Sequence, residues 1–434
     1  MINYIKQQIL FTLSIFMLIG CGVSSNNTDF KLDNNINESW VRQVGNTDGF
    51  TDGSGVAVDV NNNIYVTGFT TVGISGESQK GNRDYFIAKY NNDGDLLWTR
   101  QAGNINGGTM ANGIAVDKNS NIYIVGSTTA DISGDGQKGN YDYFIAKYNN
   151  IGNLLWIKQI GDTNGNSEII SVFANMDNIY IVGNTSVGLL GESQKGNYDY
   201  FVAKYKESTL LWEKQVGGIG GDSQATGVVS DNDDNVYIVG NTSVGLLGES
   251  QKGNYDYFVA KYDAIGNLLW IKQVGSTLGQ ILPKGIVLDN NKNLYLTGYT
   301  TVGISGESQK GNYDYFIAKY KESNLLWTKQ RGNIGGFTAP FGIKFSNNNI
   351  YVVGFTSVDL FGDGQKGNYD YFIAKYNESN LLLAKQFGNN LGNVYGYGIT
   401  VDAAGVYVVG STSILISNES QRGIRDYFVA KHKF

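Results

Sequence analysis

An acidic and a basic residue recur three positions apart at seven places in the chain, in loops of the type GESQKGNYD. The acids are Glu77, Asp135, Glu192, Glu249, Glu307, Asp363 and Glu419, and the bases are Lys80, Lys138, Lys195, Lys252, Lys310, Lys366 and Arg422. If the seven loops share one face, these groups form a ring able to hydrogen-bond a glycan or a protein. The same residues also suit local pairing on a solvated loop, each pair worth about 0–1 kcal/mol.

Other candidate chemistry is sparse. Four short segments fit D-x-[DN]-x-[DN], beginning at Asp59, Asp117, Asp231 and Asp289. Calcium needs six to eight oxygens and usually a closing bidentate carboxylate, which these segments lack, so tight Asx turns are the simpler expectation. No metal or cofactor is expected. The chain has one histidine, His432, and one cysteine, Cys21. That excludes a His/Cys zinc set, and no Ser-His-Asp set is plausible. Carboxylates repeated in every copy mark no asymmetric acid/base pair for a glycosidase. A non-enzymatic role is therefore expected. Arg83, Arg331 and Arg425 break the repeat symmetry. His432 is expected to cap the last strand.

These loops are carried by a long repeat. DYFIAKY or a close variant starts at Asp84, Asp142, Asp199, Asp256, Asp314, Asp370 and Asp426. A period of 56–58 residues means a repeat architecture. Each unit holds four strand-like runs, shown in the first by GVAVD (55–59), NIYVTG (63–68), DYFIAKY (84–90) and LLWTRQAG (96–103). Their apolar residues do not alternate cleanly, as expected for sheets covered on both faces. Pro283 and Pro340 are read as preceding a first strand. The segment SWVRQVGN (39–46) matches a fourth strand, while the chain ends on a third strand. These features predict an all-β, seven-bladed β-propeller of four-stranded blades, closed by the N-terminal strand completing the last blade. Six tryptophans and Leu383 occupy one position of the seven fourth strands. The Asp and Lys of DYFIAKY, and a Gln recurring from Gln43 to Gln386, are expected to fix blade structure.

DYFIAKYNNDGDLLWTRQAG followed by GIAVDKNSNIYIVGST resembles the bacterial β-propeller repeat family called SBBP. The resemblance implies a propeller and, commonly, an extracytoplasmic location, without implying one activity. Loops from the second strand to the third, and from the fourth to the next first strand, keep constant length. In a propeller both lie on one face, which is the expected working face. Residues 180–205 and 237–262 are identical, so recent duplication also contributes to that uniformity.

The leader gives the address. Lys6 precedes an apolar run from Ile9 to Gly20, too short for a stable span but suited to a secretion signal. It ends in Leu18-Ile19-Gly20-Cys21, which resembles the bacterial lipoprotein processing motif. The expected organisation is a signal peptide at 1–20, a lipidated flexible tether at 21–37 with lipid on Cys21, and the propeller at 38–434. Gly22 after the cysteine favours an outer-membrane lipoprotein at the surface or periplasmic face. A net charge of −6 argues against nucleic acid. Charged outer strands favour a monomer. The expected function is an exported, lipid-anchored binding or scaffold protein at the cell surface, recognising a glycan or protein. A periplasm-facing scaffold for envelope assembly is the alternative, with a carbohydrate-active enzyme behind both.

Overall fold

The computed structural model describes residues 36–433, apart from 176, 390–391 and 417–420. Residues 1–35, which include the expected signal peptide, Cys21 and most of the tether, lie outside the described residues, as does Glu419. Seven antiparallel sheets of four strands make up the described chain. Six use consecutive strands. The seventh joins Val394–Asp402, Gly405–Thr412 and Asp426–Lys433 to the N-terminal strand Asn37–Val44, which pairs with the last strand. First strands of neighbouring blades meet one another all the way round the axis, so the fourth strands lie at the rim. No helix among the described residues is long and apolar enough to cross a membrane.

Burial follows strand position. The third strand, Asp84–Tyr90 in the first blade, is buried along its whole length because neighbouring blades cover both faces. The fourth, Leu96–Ala102, exposes Leu96 and Leu97. First strands begin four residues earlier than GVAVD suggests, at Thr51 in the first blade, with a bulge between Gly53 and Gly55. Pro283 and Pro340 lie inside first strands rather than ahead of them, each next to such a bulge. A missing N–H is tolerated there because a first strand pairs on one side only and its other edge faces the axis.

Blades are joined by polar contacts that repeat around the ring. The first tyrosine of one DYFIAKY segment meets the last tyrosine of the next, as in Tyr85–Tyr148 and Tyr257–Tyr320, both 2.6 Å between hydroxyls. Tyr427 and Tyr90, also 2.6 Å apart, close the circle between the seventh and first blades. His432 does not merely cap a strand end. It is fully buried and takes the tyrosine's place against Tyr371. The DYFIAKY lysine reaches the next blade's outer hairpin: Lys89 donates to the Asn150 carbonyl and Lys319 to the Glu378 carboxylate. The outer tryptophan clamps the same hairpin, with Trp40 Nε1 donating to the Asn92 carbonyl at 3.1 Å.

Candidate functional site

The recurring aspartate is the hub of the constant loop. Asp84 accepts from the backbone N–H groups of Lys80 and Gly81, at 2.7 and 2.8 Å, and from Gln101 Nε2 at 2.9 Å. The Gln101 amide also donates to the Val72 carbonyl and accepts from Ile74 N–H. The arrangement repeats at every blade, for example around Asp256 and Gln273. A Cβ on Gly103 would stand 2.0 Å from Asp84 Oδ1, which explains the glycine that ends each fourth strand. Aspartate and glutamine therefore hold the loop's shape.

The ring of loop charges lies outward of this hub. Lys80, Lys138, Lys195, Lys252, Lys310, Lys366 and Arg422 are exposed, while most of the acids are partly covered. Their described partners belong to fourth strands. Glu249 pairs with Lys272 and Glu307 with Lys329, each at 3.2 Å, and Glu77 lies 3.9 Å from Arg100. Lys80 and Lys366 donate to the carbonyls of Gln101 and Gln386. Asp363 accepts from Gln386 N–H. Asp135 and Glu192 occupy the same loop position in their blades. These side chains form the rim of the face and do not converge on one point.

On the opposite side, the Asp-rich hairpins are closed on themselves. Asp59 accepts from Asn61 N–H and Asn63 N–H, both at 2.9 Å, and from the Tyr65 hydroxyl at 3.0 Å. These bonds hold its carboxyl below the usual range against the opposing effect of burial, the largest single influence. The carboxylate works as the acceptor of an Asx turn.

The side chains that do converge lie at the axial mouth of the constant-loop face. Each constant loop bridges to the start of the next blade's first strand, as Tyr313 does to Phe337. The two residues flanking that strand's first glycine position differ from blade to blade. The bulge carries Ser54, Asn112, Ile170 and Thr226 in blades one to four, then Lys284, Phe341 and Tyr397 in blades five to seven. Two positions earlier stand Asp52, Met110, Glu168 and Gln224, then Leu282, Ala339 and Tyr395. The mouth is thus polar on one side and aromatic on the other.

The aromatic wall is continuous. Tyr313 packs on Phe337 at 4.7 Å between ring centroids, Phe337 on Phe355 at 5.7 Å and Phe355 on Tyr395 at 4.8 Å. Phe341 meets Tyr397 edge-on at 5.5 Å. Beside Tyr395 and Tyr397, Arg425 Nη1 donates to both carboxylate oxygens of Asp52, each at 3.2 Å. Arg83 lies over Phe69. Asn166 donates to the Tyr198 hydroxyl, and its buried Oδ1 has no partner. Burial pushes the Glu168 carboxyl up. Arg331, the third symmetry-breaking arginine, lies over Phe361 instead. Below the mouth an axial cavity of ≈ 450 Å³ runs down to the Asp-rich hairpins, lined by Lys284, Phe341, Lys344 and Tyr397 among others. That volume is within the range of small-ligand sites, about 300–1,000 Å³.

The beta-propeller repeat model SBBP matches residues 39–74, 97–133, 211–248 and 269–304. The chain carries SBBP repeats. Each SBBP match starts in a fourth strand and runs through the first two strands of the next blade, the same offset that closes the ring. Curated relatives of the chain include an uncharacterized WD repeat-containing protein of Acanthamoeba polyphaga mimivirus, 23% identical over 82% of this chain and 34% of its own length. Another is the regulatory protein FlaEY of Caulobacter vibrioides, 23% identical over 69% of this chain and 36% of its own. The chain therefore spans about a third of the length of these relatives. Among solved structures, a chain of the mitotic checkpoint complex matches with a TM-score of 0.51 at 10% identity, covering 96% of this chain and 98% of that one. A PL25 ulvan lyase matches with 0.51 at 11% identity, covering 85% and 93%. At such identities the likeness shows the propeller fold alone.

Of the mouth, sequence reasoning singled out only the symmetry-breaking Arg83 and Arg425, and placed the candidate ring among residues present in every blade. The mouth's signal is the opposite one. Residues just before the first-strand glycine vary while the motifs around them stay constant.

Proposed function

We propose that this propeller is an exported, lipid-anchored binding protein of the cell envelope that takes a glycan at the axial mouth of its constant-loop face. One observation carries the reading: variation among near-identical blades gathers at the mouth, where an aromatic wall shares the opening with Asp, Glu, Asn and Gln. Sugar C–H faces stack on such rings, and amides and carboxylates take the hydroxyls. The loop charges from Glu77 and Lys80 round to Arg422 would then meet outer parts of a long ligand. Cys21 is the proposed lipid attachment, and the proposed address is the outer membrane.

The test is a glycan array followed by calorimetry with the purified protein. Tyr397→Ala and Phe341→Ala should weaken binding at least tenfold, while Lys80→Ala should change it less than threefold. The reverse pattern would move the site to the rim. Release of cleaved products from a bound glycan would replace binding by catalysis, the reading kept open by the propeller fold of the lyase.

A second reading rests on the loop tips. Ile105, Ile219, Leu278 and Ile334 are 73%, 92%, 81% and 86% exposed on the same face. Apolar tips of this kind suit a protein partner, hence a scaffold in envelope assembly. Co-purification of one envelope protein with the wild type, lost on Ile219→Asp and Ile334→Asp, would favour it.

A further inference from the structure

Two lysines line the axial cavity without an anion beside them. Lys284 stands at the bulge of the fifth blade's first strand, and Lys344 lies on the adjoining first strand of the sixth. The Lys284 ammonium sits 5.5 Å from the centroids of Tyr299 and Phe341, held by two ring faces. Neither lysine makes a hydrogen bond or ion pair among the described residues. Channel wall surrounds both, yet each keeps some exposure through the cavity.

The other charges of the cavity are already engaged. Asp231 accepts from Asn235 and Tyr237 and lies 3.3 Å from Lys292. Asp289 accepts from Asn291 and Asn293 and from Tyr295. Lys292 is paired with both Asp231 and Asp233. The cavity thus holds two cations that no group among the described residues neutralises, although the chain as a whole is acidic. An enclosed, unpaired charge is costly, and an anionic ligand removes that cost. Burial lowers Lys284 to about 8, which leaves it mainly protonated at neutral pH, and lowers Lys344 as well. The aromatic wall begins at the same place, since Phe341 touches both Lys284 and Tyr397.

We propose that Lys284 and Lys344 form an anion subsite inside the axial cavity, which takes the carboxylate or sulfate of an acidic sugar whose rings stack on Phe341 and Tyr397. This rests on the glycan reading above and adds the charge of the ligand. The subsite selects acidic over neutral glycans, because a neutral sugar leaves both ammonium groups enclosed and uncompensated.

Calorimetry with the purified protein tests it, using trigalacturonate, its methyl ester, and a neutral trisaccharide with and without one sulfate. The wild type should bind at least one anionic form tenfold or more tighter than its neutral counterpart. Which pair shows the preference tells carboxylate from sulfate. The double variant Lys284→Met, Lys344→Met should lose the preference, binding the anionic and neutral forms alike. Its melting temperature should equal or exceed that of the wild type. Lys284→Gln alone, a polar replacement, should lose most of the preference too. Equal binding of anionic and neutral forms by the wild type, or a preference that survives in the double variant, would overturn the subsite alone. Absence of binding to all four sugars would overturn the subsite and count against the glycan reading as well.

Discussion

The hydroxyl of Tyr371 and Nε2 of His432 lie 3.2 Å apart, at the one blade interface where histidine replaces the second tyrosine of the pair. Phe387 covers the imidazole at 4.6 Å between centroids, and Nδ1 has no partner. Burial, and then the charge of Lys385, lower the histidine to about 3. Glu38 is its backbone neighbour in the closing strand.

A pH dependence follows from that histidine. The unfolded chain takes up a proton near pH 6.5, whereas the native state does so only near 3. Stability from this group is complete above 6.5 and is lost as pH falls toward 3, by up to about 1.4 kcal/mol per unit. His432→Tyr, which restores the repeat, should remove this part of the slope. Denaturant midpoints at pH 4.5 and 7.5 check it: the variant's gain should be larger at pH 4.5. An equal gain at both would deny the histidine its role.

Glu213 gives the opposite sign. It occupies a fourth-strand position that is apolar or threonine in the other blades, facing Tyr143 and Tyr205. Burial raises it to about 7, and Oε1 has no partner. The native state keeps its proton up to pH 7 while the unfolded chain loses it near 4.5. Stability therefore falls as pH rises between those values. Glu213→Gln should be more stable than wild type at pH 8, on the order of 1–3 kcal/mol, and nearly equal at pH 4. Chemical denaturation at both pH values reads this directly.

Removing a loop hub should unfold without unbinding. Asp256→Ala leaves two backbone N–H groups and the Gln273 amide without their acceptor in a buried place. The expected loss is on the order of 3 kcal/mol. The melting temperature should drop while glycan affinity below the transition stays put. Lost affinity with an unchanged melting curve would instead put Asp256 in the binding site.

Gly94 tests the closing interface. Its φ is +84°, and a Cβ there would stand 2.7 Å from the Trp40 ring of the seventh blade. Gly94→Ala should cost about 1–3 kcal/mol. In a Trp40→Ala background the steric part disappears, so the cost should shrink. A double-mutant cycle by urea unfolding measures the difference.

Much of the fold could be read from the residues because the repeat is so regular. DYFIAKY is buried on both faces and therefore tolerates little change, so the sequence places the third strand of the first blade to the residue, while the strand that closes the ring runs 37–44, two residues ahead of the 39–46 expected. The onset of the first strand was missed because Thr51 to Gly53 pair through backbone, which imposes little on side-chain type. The same freedom hid the mouth. Side chains such as Asp52, Glu168 and Tyr395 differ from blade to blade and meet partners that do not recur round the ring, such as Arg425 and Phe355, and in one sequence such variety looks like noise. His432 stands at the tyrosine position of the last repeat, and its partner Tyr371, 61 positions away, shows that position to be a blade interface rather than a strand cap.

The pairing of Asn37 with Lys433 also sets a clock. Partners 396 positions apart cannot meet until nearly the whole propeller has been made. At about 5–20 residues per second, the strand 37–44 waits roughly 20–80 s for its neighbour during synthesis. Through that interval the seventh blade does not exist, and the earliest strand stands with both edges unpaired. Ring formation is thus a terminal, slow event.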